Sequence, residues 1–586
     1  RSVLSSRFEK VITYGLTALL IFVCLTKFGS SVTHTLQCAD TAWLIKTGQY
    51  IIDHGLPATD PFSWTCHDRP IVIYQWLFAV LLGLLFQQGG LWLVGLATCI
   101  AVGLLYIWYL PAAMMRQGVK SVYAFGLLSL VCSPVWFWAR PQLASFILIP
   151  IFTVILELTR HDGKQKWLWC LPLLMVLWAN LHSFWFIGLA MVAAYLLEAI
   201  LQRTTANSKA LLIALCCCLT AVLINPYGWG LIQYNLSFTT EPDFGTIREL
   251  QPLLLTQAKY HLSLLLYLIL AWCAIIFGRS AVPLSGLILG AAGTIAALVF
   301  YRFVPVAILL TWPYAALALA KFSFFSNDRN KELKEHKPLS SYSQLLPKVL
   351  PLLAVTCSLY FFLKHFPAGK PVWFTNSDTN IETTQFLKRH PELTKKLLCD
   401  PSVGCSLIFE NLLPVFIDTR FDFYGRQFCT DFNNCFDAEE GWQQYIEKWQ
   451  ADTLCIDDTF PIYQALLSSP RWLLVFDDDH FSVWLPNNES GVKLRQAIIN
   501  SMGGRELGCL SEQQREKMYT NFSQKHAHTA ISYLSAGKQQ LALNEFKDGM
   551  AWSHNHRLQS FLQRNYTLLK AQQEQNQKLA PQKTSK

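Results

Sequence analysis

Up to about Lys364 the chain is built from long apolar runs separated by short polar breaks, and beyond it the pattern changes. Runs of the roughly 17 to 25 residues that cross a bilayer fall at 11–29, 91–110, 121–138, 143–159, 167–180, 184–201, 209–224, 260–277, 282–299, 303–320 and 347–363. These predict about eleven transmembrane helices. Segment 71–88 is also apolar enough to cross. Lys and Arg in short loops accumulate on the cytoplasmic side, and a crossing there would move "MMRQGVK" and "RHDGKQK" outside. The expectation is therefore that 71–88 lies along the outer interface, with the N-terminus inside and the C-terminal part exported. Residues 1–29 lack a small-residue cleavage site and read as an anchor.

From Asn376 onward, helix-like and strand-like segments alternate: "IETTQFLKRH", "KLLCD", "CSLIFEN", "LPVFIDTRFDFYG", "GWQQYIEKWQADTLCID", "WLLVFDDDHFSVWL". That alternation predicts an α/β layer, mostly parallel, ending in a hairpin over Leu473 to Leu485 whose turn holds Asp477 to Asp479. After about residue 505 the pattern turns helical again. Tyr533, Gly537, Ala542 and Phe546 resemble one tetratricopeptide unit, a helix pair that buries its apolar face against neighbours. The resulting division is 1–364, a transmembrane module with an outer loop and interfacial helices over 30–90; 365–490, an exported α/β domain; 505–575, a helical segment suited to a protein partner; and 576–586, a disordered tail.

Composition settles the class. With 52% hydrophobic and only 15% charged residues among 586, the chain is too apolar for a soluble globular protein. The formal charge of +9 is dispersed through short loops and forms no basic stripe, so it marks topology and membrane lipids, not a nucleic-acid partner. Cysteines 399, 405, 429 and 435 form two close pairs, and an oxidising compartment would favour one or two disulfides.

The polar stretch "CADTAWLIKTGQYIIDHGLPATDPFSWTCHDRP" stands between two apolar segments. Under the expected topology it joins "WARPQ", "WANLHSFW", "INPYGWG", "GTIRELQP" and "YRFVP" at the outer face. Charges at a membrane rim are costly and therefore candidates for function. One carboxylate with isolated arginines suits transfer of a group from a lipid-linked phosphate, the carboxylate taking the acceptor's proton and the arginines holding the departing phosphate. Asp40, just after the first span, is the candidate base; Arg140, Arg302 and Arg248 are the phosphate-holding candidates. Glu249 is either a second carboxylate or the salt-bridge partner of Arg248. His54, His182, Asp60 and Asn180 are rim or acceptor-side candidates. No metal-binding spacing joins the histidines, Asp60 before its proline suits a turn, and Asn180 suits loose backbone groups at a helix end.

The pattern D-x-x-W-x-x-x-T-G-x-x-I-x-x-x-G-x-P-x-x-D-P-F-S-W-T from Asp40 to Thr65, followed by "RPQ", "WANLH", "NPYG", "REL" and "YRFVP", resembles a largely uncharacterised group of bacterial polytopic proteins. Their architecture is similar to the GT-C superfamily of membrane glycosyltransferases. That resemblance implies a polyprenyl-phosphate sugar as lipid-linked donor, transfer to an envelope acceptor at the outer face of the cytoplasmic membrane, and Asp40 as the catalytic carboxylate of the first outer loop. The chain departs from the pattern at two places. Gln142 stands where a second acid occurs in characterised members, which puts a divalent metal in question, and Gln75 replaces an acid common in the uncharacterised group. No cofactor is established by these residues and the metal is left open. The rival reading is a non-catalytic membrane scaffold or lipid-carrier-binding protein with exported interaction domains. In "FIDTRFDFYG", Asp418, Arg420, Asp422 and Arg426 read as a surface ion-pair network in preference to a glycan contact.

Overall fold

The computed structural model describes residues 38–103, 138–240 except 164, 252, 262–319, 381–501 except 458, 468 and 478–480, 530, 533–534, and 539–579 except 553–555. The expected spans at 11–29 and 347–363, nearly all of 121–138, the tail, Gly537 and the loop holding Arg248 and Glu249 lie outside them. The chain forms two compact units, Arg1–Asp60 with Asp68–Asn376, and Pro61–His67 with Ser377–Lys586.

The described part of the first unit is helical. Its helices are α1 (Ala39–His54), α2 (Trp76–Gly103), α3 (Gln142–Asp162), α4 (Cys170–Leu181), α5 (Trp185–Leu201), α6 (Thr205–Ala221), α7 (Trp229–Thr240), α8 (Leu262–Phe277), α9 (Leu284–Val299) and α10 (Val304–Leu319). Three stretches are long and apolar enough to cross a membrane, Trp76–Thr98, Gln142–Arg160 and Tyr301–Leu319, and four shorter apolar helices accompany them, Trp185–Leu201, Asn207–Ala221, Leu264–Phe277 and Leu284–Val299. One apolar core runs through the unit, with Phe152, Trp178, Tyr267, Trp312 and Tyr314 fully buried in it. Leu173 and Phe277 are instead 74% and 78% exposed, apolar side chains directed outward as lipid contact requires.

Segment 71–88, expected as a separate interfacial element, is helical from Trp76 and continues into the next apolar run as α2. Gly89 and Gly90 break the helix geometry between the two halves, and Gly90 holds φ 62°. Only glycine enters that region freely, so the kink is written into the sequence. α1 does not lie alone either; it packs along the first half of α2. A Cβ on Gly48 would stand 1.9 Å from the Ala79 carbonyl oxygen, so the two backbones touch there. Gly48→Val is expected to force the helices apart, an overpacking cost of about 1–3 kcal/mol. A lowered unfolding temperature and loss of a monodisperse peak in detergent are the readouts.

The second unit holds α11 (Ile381–Arg389), β1 (Leu397–Cys399), α12 (Pro401–Phe409), α13 (Phe421–Tyr424), α14 (Arg426–Phe436), α15 (Trp442–Trp449), β2 (Thr453–Asp457), α16 (Pro461–Leu467), β3 (Trp472–Asp477), β4 (Phe481–Pro486), α17 (Glu489–Ser501), α18 (Gln539–Trp552) and α19 (His556–Leu579). The sheet order is β1-β2-β4-β3. β1 and β2 are parallel, whereas β2–β4 and β3–β4 are antiparallel, so the sheet is mixed and not mostly parallel. "CSLIF", Cys405 to Phe409, is part of α12, because Asp400 caps that helix and Pro401 opens it. α18 and α19 pack around Ala542, Phe546 and Leu562, and the Tyr533 hydroxyl donates to the Gln464 carbonyl at 2.7 Å, which ties the helical pair to α16.

The expected disulfides are absent: Cys399, Cys405, Cys429 and Cys435 are all buried free thiols. Cys429 and Cys435 lie on one helix, α14. Six residues of helix rise about 9 Å, beyond the Cα separation a disulfide bridges.

Asp400 carries a pH signature. Its Oδ1 accepts from Ser402 N at 2.8 Å, Ser402 Oγ at 2.6 Å and Val403 N at 3.3 Å, while Oδ2 is buried without a partner. Burial, reinforced by the charge of Asp457, outweighs those bonds and pushes the carboxyl up to about 6 from 3.8. A folded pKa above the unfolded one means the group favours the fold fully below about pH 4, and that contribution is lost as pH rises through about 6, on the order of 3 kcal/mol in all. Asp400→Asn keeps a capping oxygen. Thermal unfolding should find the variant close to wild type near pH 4 and more stable than wild type at pH 7.

Candidate functional site

The start of α1 and the start of α3 meet in the first unit. Asp40 lies in the first turn of α1, where a carboxylate is favoured by the helix dipole. The Thr41 hydroxyl donates to the Ala139 carbonyl at 3.5 Å and holds the two helix starts together. Arg140 then pairs with Asp40, Nη2 to Oδ2, at 2.8 Å. Trp43 Nε1 donates to Asp40 Oδ1 at 3.4 Å, Arg140 Nε donates to Cys38 Sγ at 2.9 Å, and the guanidinium lies 4.5 Å from the Trp138 ring centre. Burial pushes the Cys38 thiol up, against the pull of Arg140, so the sulfur accepts as a thiol. The pair keeps an open side: the Arg140 and Asp40 side chains are 18% and 21% exposed.

Little more than a turn further along α3, Ser145 begins a second cluster. Trp178 Nε1 donates to Ser145 Oγ at 2.8 Å, and Ser145 Oγ lies 2.7 Å from His182 Nδ1. His182 is 1% exposed, and its Nε2 has no hydrogen-bond partner. Its ring packs 4.4 Å from that of Phe184, and the Arg302 guanidinium stands 5.6 Å from the same ring. Phe184 also stacks on Phe303 at 4.8 Å, so the turn Tyr301–Phe303 ahead of α10 carries Arg302 toward His182. Arg302 Nε is buried and likewise unpartnered.

Of the candidates named from sequence, the fold thus brings Asp40 to Arg140 and His182 to Arg302. Asn180 lies in neither group. Its carbonyl accepts from Trp76 Nε1 at 2.8 Å and its amide donates to Val176 and Ile224 carbonyls at 2.8 and 2.9 Å, which knits α2, α4 and the end of α6. His54 is exposed at the end of α1 and stacks on Tyr50 at 4.7 Å. Asp60 is buried beside the short bridge between Thr59 and Pro70. Gln142 and Gln75 each leave a side-chain oxygen buried without a partner.

Cys38, Ser145 and Trp178 were not singled out by sequence. The Trp178–His182 pair, four residues apart at the end of one helix, was the available signal. At the far end of α3, Glu157 pairs with Arg160 at 2.6 Å and accepts from the Tyr195 hydroxyl at 2.5 Å. Those charges satisfy each other.

No group of three metal-ligating side chains occurs among the described residues. At Asp40 the place of a cation is taken by the Arg140 guanidinium, and Gln142 supplies no second carboxylate. The described residues around Asp40 do not fit a divalent ion.

No family model and no curated protein matches the chain. Among solved structures it aligns with the Archaeoglobus fulgidus oligosaccharyltransferase in the apo form, TM-score 0.48 and 14% identity over 76% of this chain and 70% of that one. It also aligns with AglB from Archaeoglobus fulgidus in complex with an inhibitory peptide and a dolichol-phosphate, TM-score 0.46 and 13% identity over 76% and 69%. A third match is the Archaeoglobus fulgidus oligosaccharyltransferase tethered to an acceptor peptide containing the NVT sequon, TM-score 0.47 and 12% identity over 76% and 69%. Likeness at that level assigns neither fold family nor activity. What the described residues define is a membrane-type helical unit with an Asp40–Arg140 ion pair and two buried nitrogens, His182 Nε2 and Arg302 Nε, without a partner among the described residues, and a mixed α/β unit.

Proposed function

We propose that the chain is an integral membrane glycosyltransferase of GT-C type. It transfers a sugar from a polyprenyl-phosphate donor to an envelope acceptor at the outer face of the cytoplasmic membrane. The observation that carries this reading is the Asp40–Arg140 pair: one carboxylate held 2.8 Å from a guanidinium, with part of each side chain open. The resemblance of the Asp40 to Thr65 pattern to GT-C-like proteins supports it.

In this reading the acceptor hydroxyl oxygen bonds to the anomeric carbon of the sugar as the bond from that carbon to the phosphate oxygen breaks. The hydroxyl proton passes to Asp40. The phosphate departs with the bonding electrons, and Arg140 and Arg302 neutralise its charge. Arriving phosphate competes with Asp40 for Arg140, so donor binding itself frees the carboxylate for its proton. No step needs a metal.

The experiment is release of polyprenyl phosphate from a polyprenyl-phosphate sugar by the purified full-length chain in nanodiscs, with Asp40→Asn as control. Release by wild type alone supports the reading. Should Asp40→Asn leave native envelope glycans unchanged while deletion of the whole chain alters them, a scaffold or carrier-binding role replaces it.

A further inference from the structure

The hydrogen bonds around His182 determine which of its nitrogens carries the proton. Trp178 Nε1 can only donate, so Ser145 Oγ accepts that bond. The Ser145 hydroxyl then has its own proton to place. Among the described residues its one remaining partner is His182 Nδ1, at 2.7 Å. Nδ1 is therefore the acceptor, and the proton of the neutral ring sits on Nε2. Burial and the neighbouring Arg302 charge both push this imidazole well below its ordinary pKa, which keeps it neutral. The consequence is an N–H donor on a side chain 1% exposed with no acceptor among the described residues.

Such an orphan is costly, and native proteins rarely keep one without a use. A second lies against the same ring, since Arg302 Nε is also buried without a partner among the described residues, and both side chains contact Phe184. Two such donors against one ring, one of them cationic, with no acceptor among the described residues, call for a ligand that brings several acceptor oxygens and negative charge. Phe184 itself stacks on Phe303 at 4.8 Å, so the rings beside the donors are apolar.

We propose that His182 Nε2–H and the Arg302 guanidinium together bind a phosphate group, and that Ser145 is a positioning residue that holds His182 in the donor tautomer. The assignment rests on the transferase reading only in taking that phosphate to be the donor's. A lipid headgroup and free phosphate present the same oxygens, and the test separates them.

Binding of farnesyl phosphate, inorganic phosphate and farnesol to the purified full-length chain in nanodiscs is measured by calorimetry. His182→Phe keeps a ring on Phe184 and removes the donor, and should weaken farnesyl phosphate binding roughly ten- to a hundredfold, as loss of a hydrogen bond to a charged group does. Arg302→Ala should weaken it at least as much. His182→Gln, whose amide nitrogen can take the Nε2 position, should recover most of the affinity. Equal loss for inorganic phosphate identifies a site for the bare anion, and loss for farnesyl phosphate alone identifies a lipid headgroup. Either outcome supports the assignment. Nitrogen-15 spectra of the imidazole should give the Nε2–H tautomer in wild type and a mixture in Ser145→Ala, a change that mere packing would not produce. Unchanged affinity in His182→Phe, equal losses in His182→Gln and His182→Phe, or an Nδ1–H tautomer in wild type would each overturn the proposal. Asp40→Asn separates the two readings. If wild type releases no polyprenyl phosphate yet His182→Phe loses farnesyl phosphate, the subsite stands and the transferase reading falls. If Asp40→Asn abolishes transfer while His182→Phe binds as wild type, the reverse holds.

Discussion

Asp40→Asn should lower the rate of sugar transfer by about 10²–10⁴, the usual worth of a positioned general base, without unfolding the protein. Two features keep stability out of the result. The amide oxygen of Asn can still accept from Trp43 Nε1, the bond Asp40 makes at 3.4 Å. The lost ion pair with Arg140 is partly exposed, at 21% and 18% side-chain exposure, so its removal costs at most about 1 kcal/mol. The seating of α1 on α2 depends on the contact at Gly48, more than two turns away from Asp40. Asp53, exposed near the other end of α1, supplies the control, and its asparagine variant should transfer at the wild-type rate. Turnover measured with saturating donor separates the chemical step from binding. A variant that only raised KM would point to Asp40 as a holder of Arg140 and not as a base.

Asp40 could be named as a candidate from the sequence because it is a short-range feature, an acid just after an apolar run in a polar loop. Arg140 could be named as well, but their pairing could not, since the ion pair joins positions a hundred residues apart and depends on how the starts of α1 and α3 meet. The same limit applies to His182. A histidine in a rim loop reads as polar decoration until Ser145 and Trp178 are seen to fix its tautomer and leave Nε2 without an acceptor. In the second unit the hairpin was readable from alternation, and the parallel character was not. β1 has three residues, and β2 pairs with the hairpin strand β4, which turns the rest of the sheet antiparallel. "LPVFIDTR", strand-like in pattern, forms no strand; among the described residues its ladder contact is an isolated bridge from Val415 to Ser63. That bridge explains part of the "DPFSWT" motif, because Phe62 O accepts from Val415 N at 2.8 Å, Trp64 N donates to Val415 O at 2.9 Å and Thr65 Oγ1 donates to Phe416 O at 2.6 Å. These residues are structural members of the second unit.

The cluster Asp418, Arg420, Asp422 and Arg426 was read as a surface network; the fold corrects this for Asp418 and Arg420, while Asp422 is half-buried and Arg426 exposed. Asp418 is 0% and Arg420 7% exposed. The Asp418 carboxylate takes Arg420 Nε at 2.8 Å, Arg420 N at 2.9 Å and the Tyr424 hydroxyl at 3.0 Å, and the Arg420 guanidinium lies 5.4 Å from the Phe62 ring centre and 5.2 Å from that of Phe423. A pattern of alternating charge looks solvated in sequence; here apolar neighbours on both sides remove the water, and the two charges satisfy each other. Removing one partner leaves the other buried and uncompensated, which costs about 3–5 kcal/mol. Asp418→Ala should therefore unfold or strongly loosen this region, and the amides of Trp64 and Val415, bonded across the bridge, should lose hydrogen-exchange protection together. Replacing both residues, Asp418→Ala with Arg420→Met, removes the stranded charge and should recover much of the loss, since apolar groups often replace a buried pair at little net cost. If the single variant keeps full protection, the pair is wetter than its burial implies. If the double variant is no better than the single, the Tyr424 and Phe62 contacts, and not the charge, hold the segment.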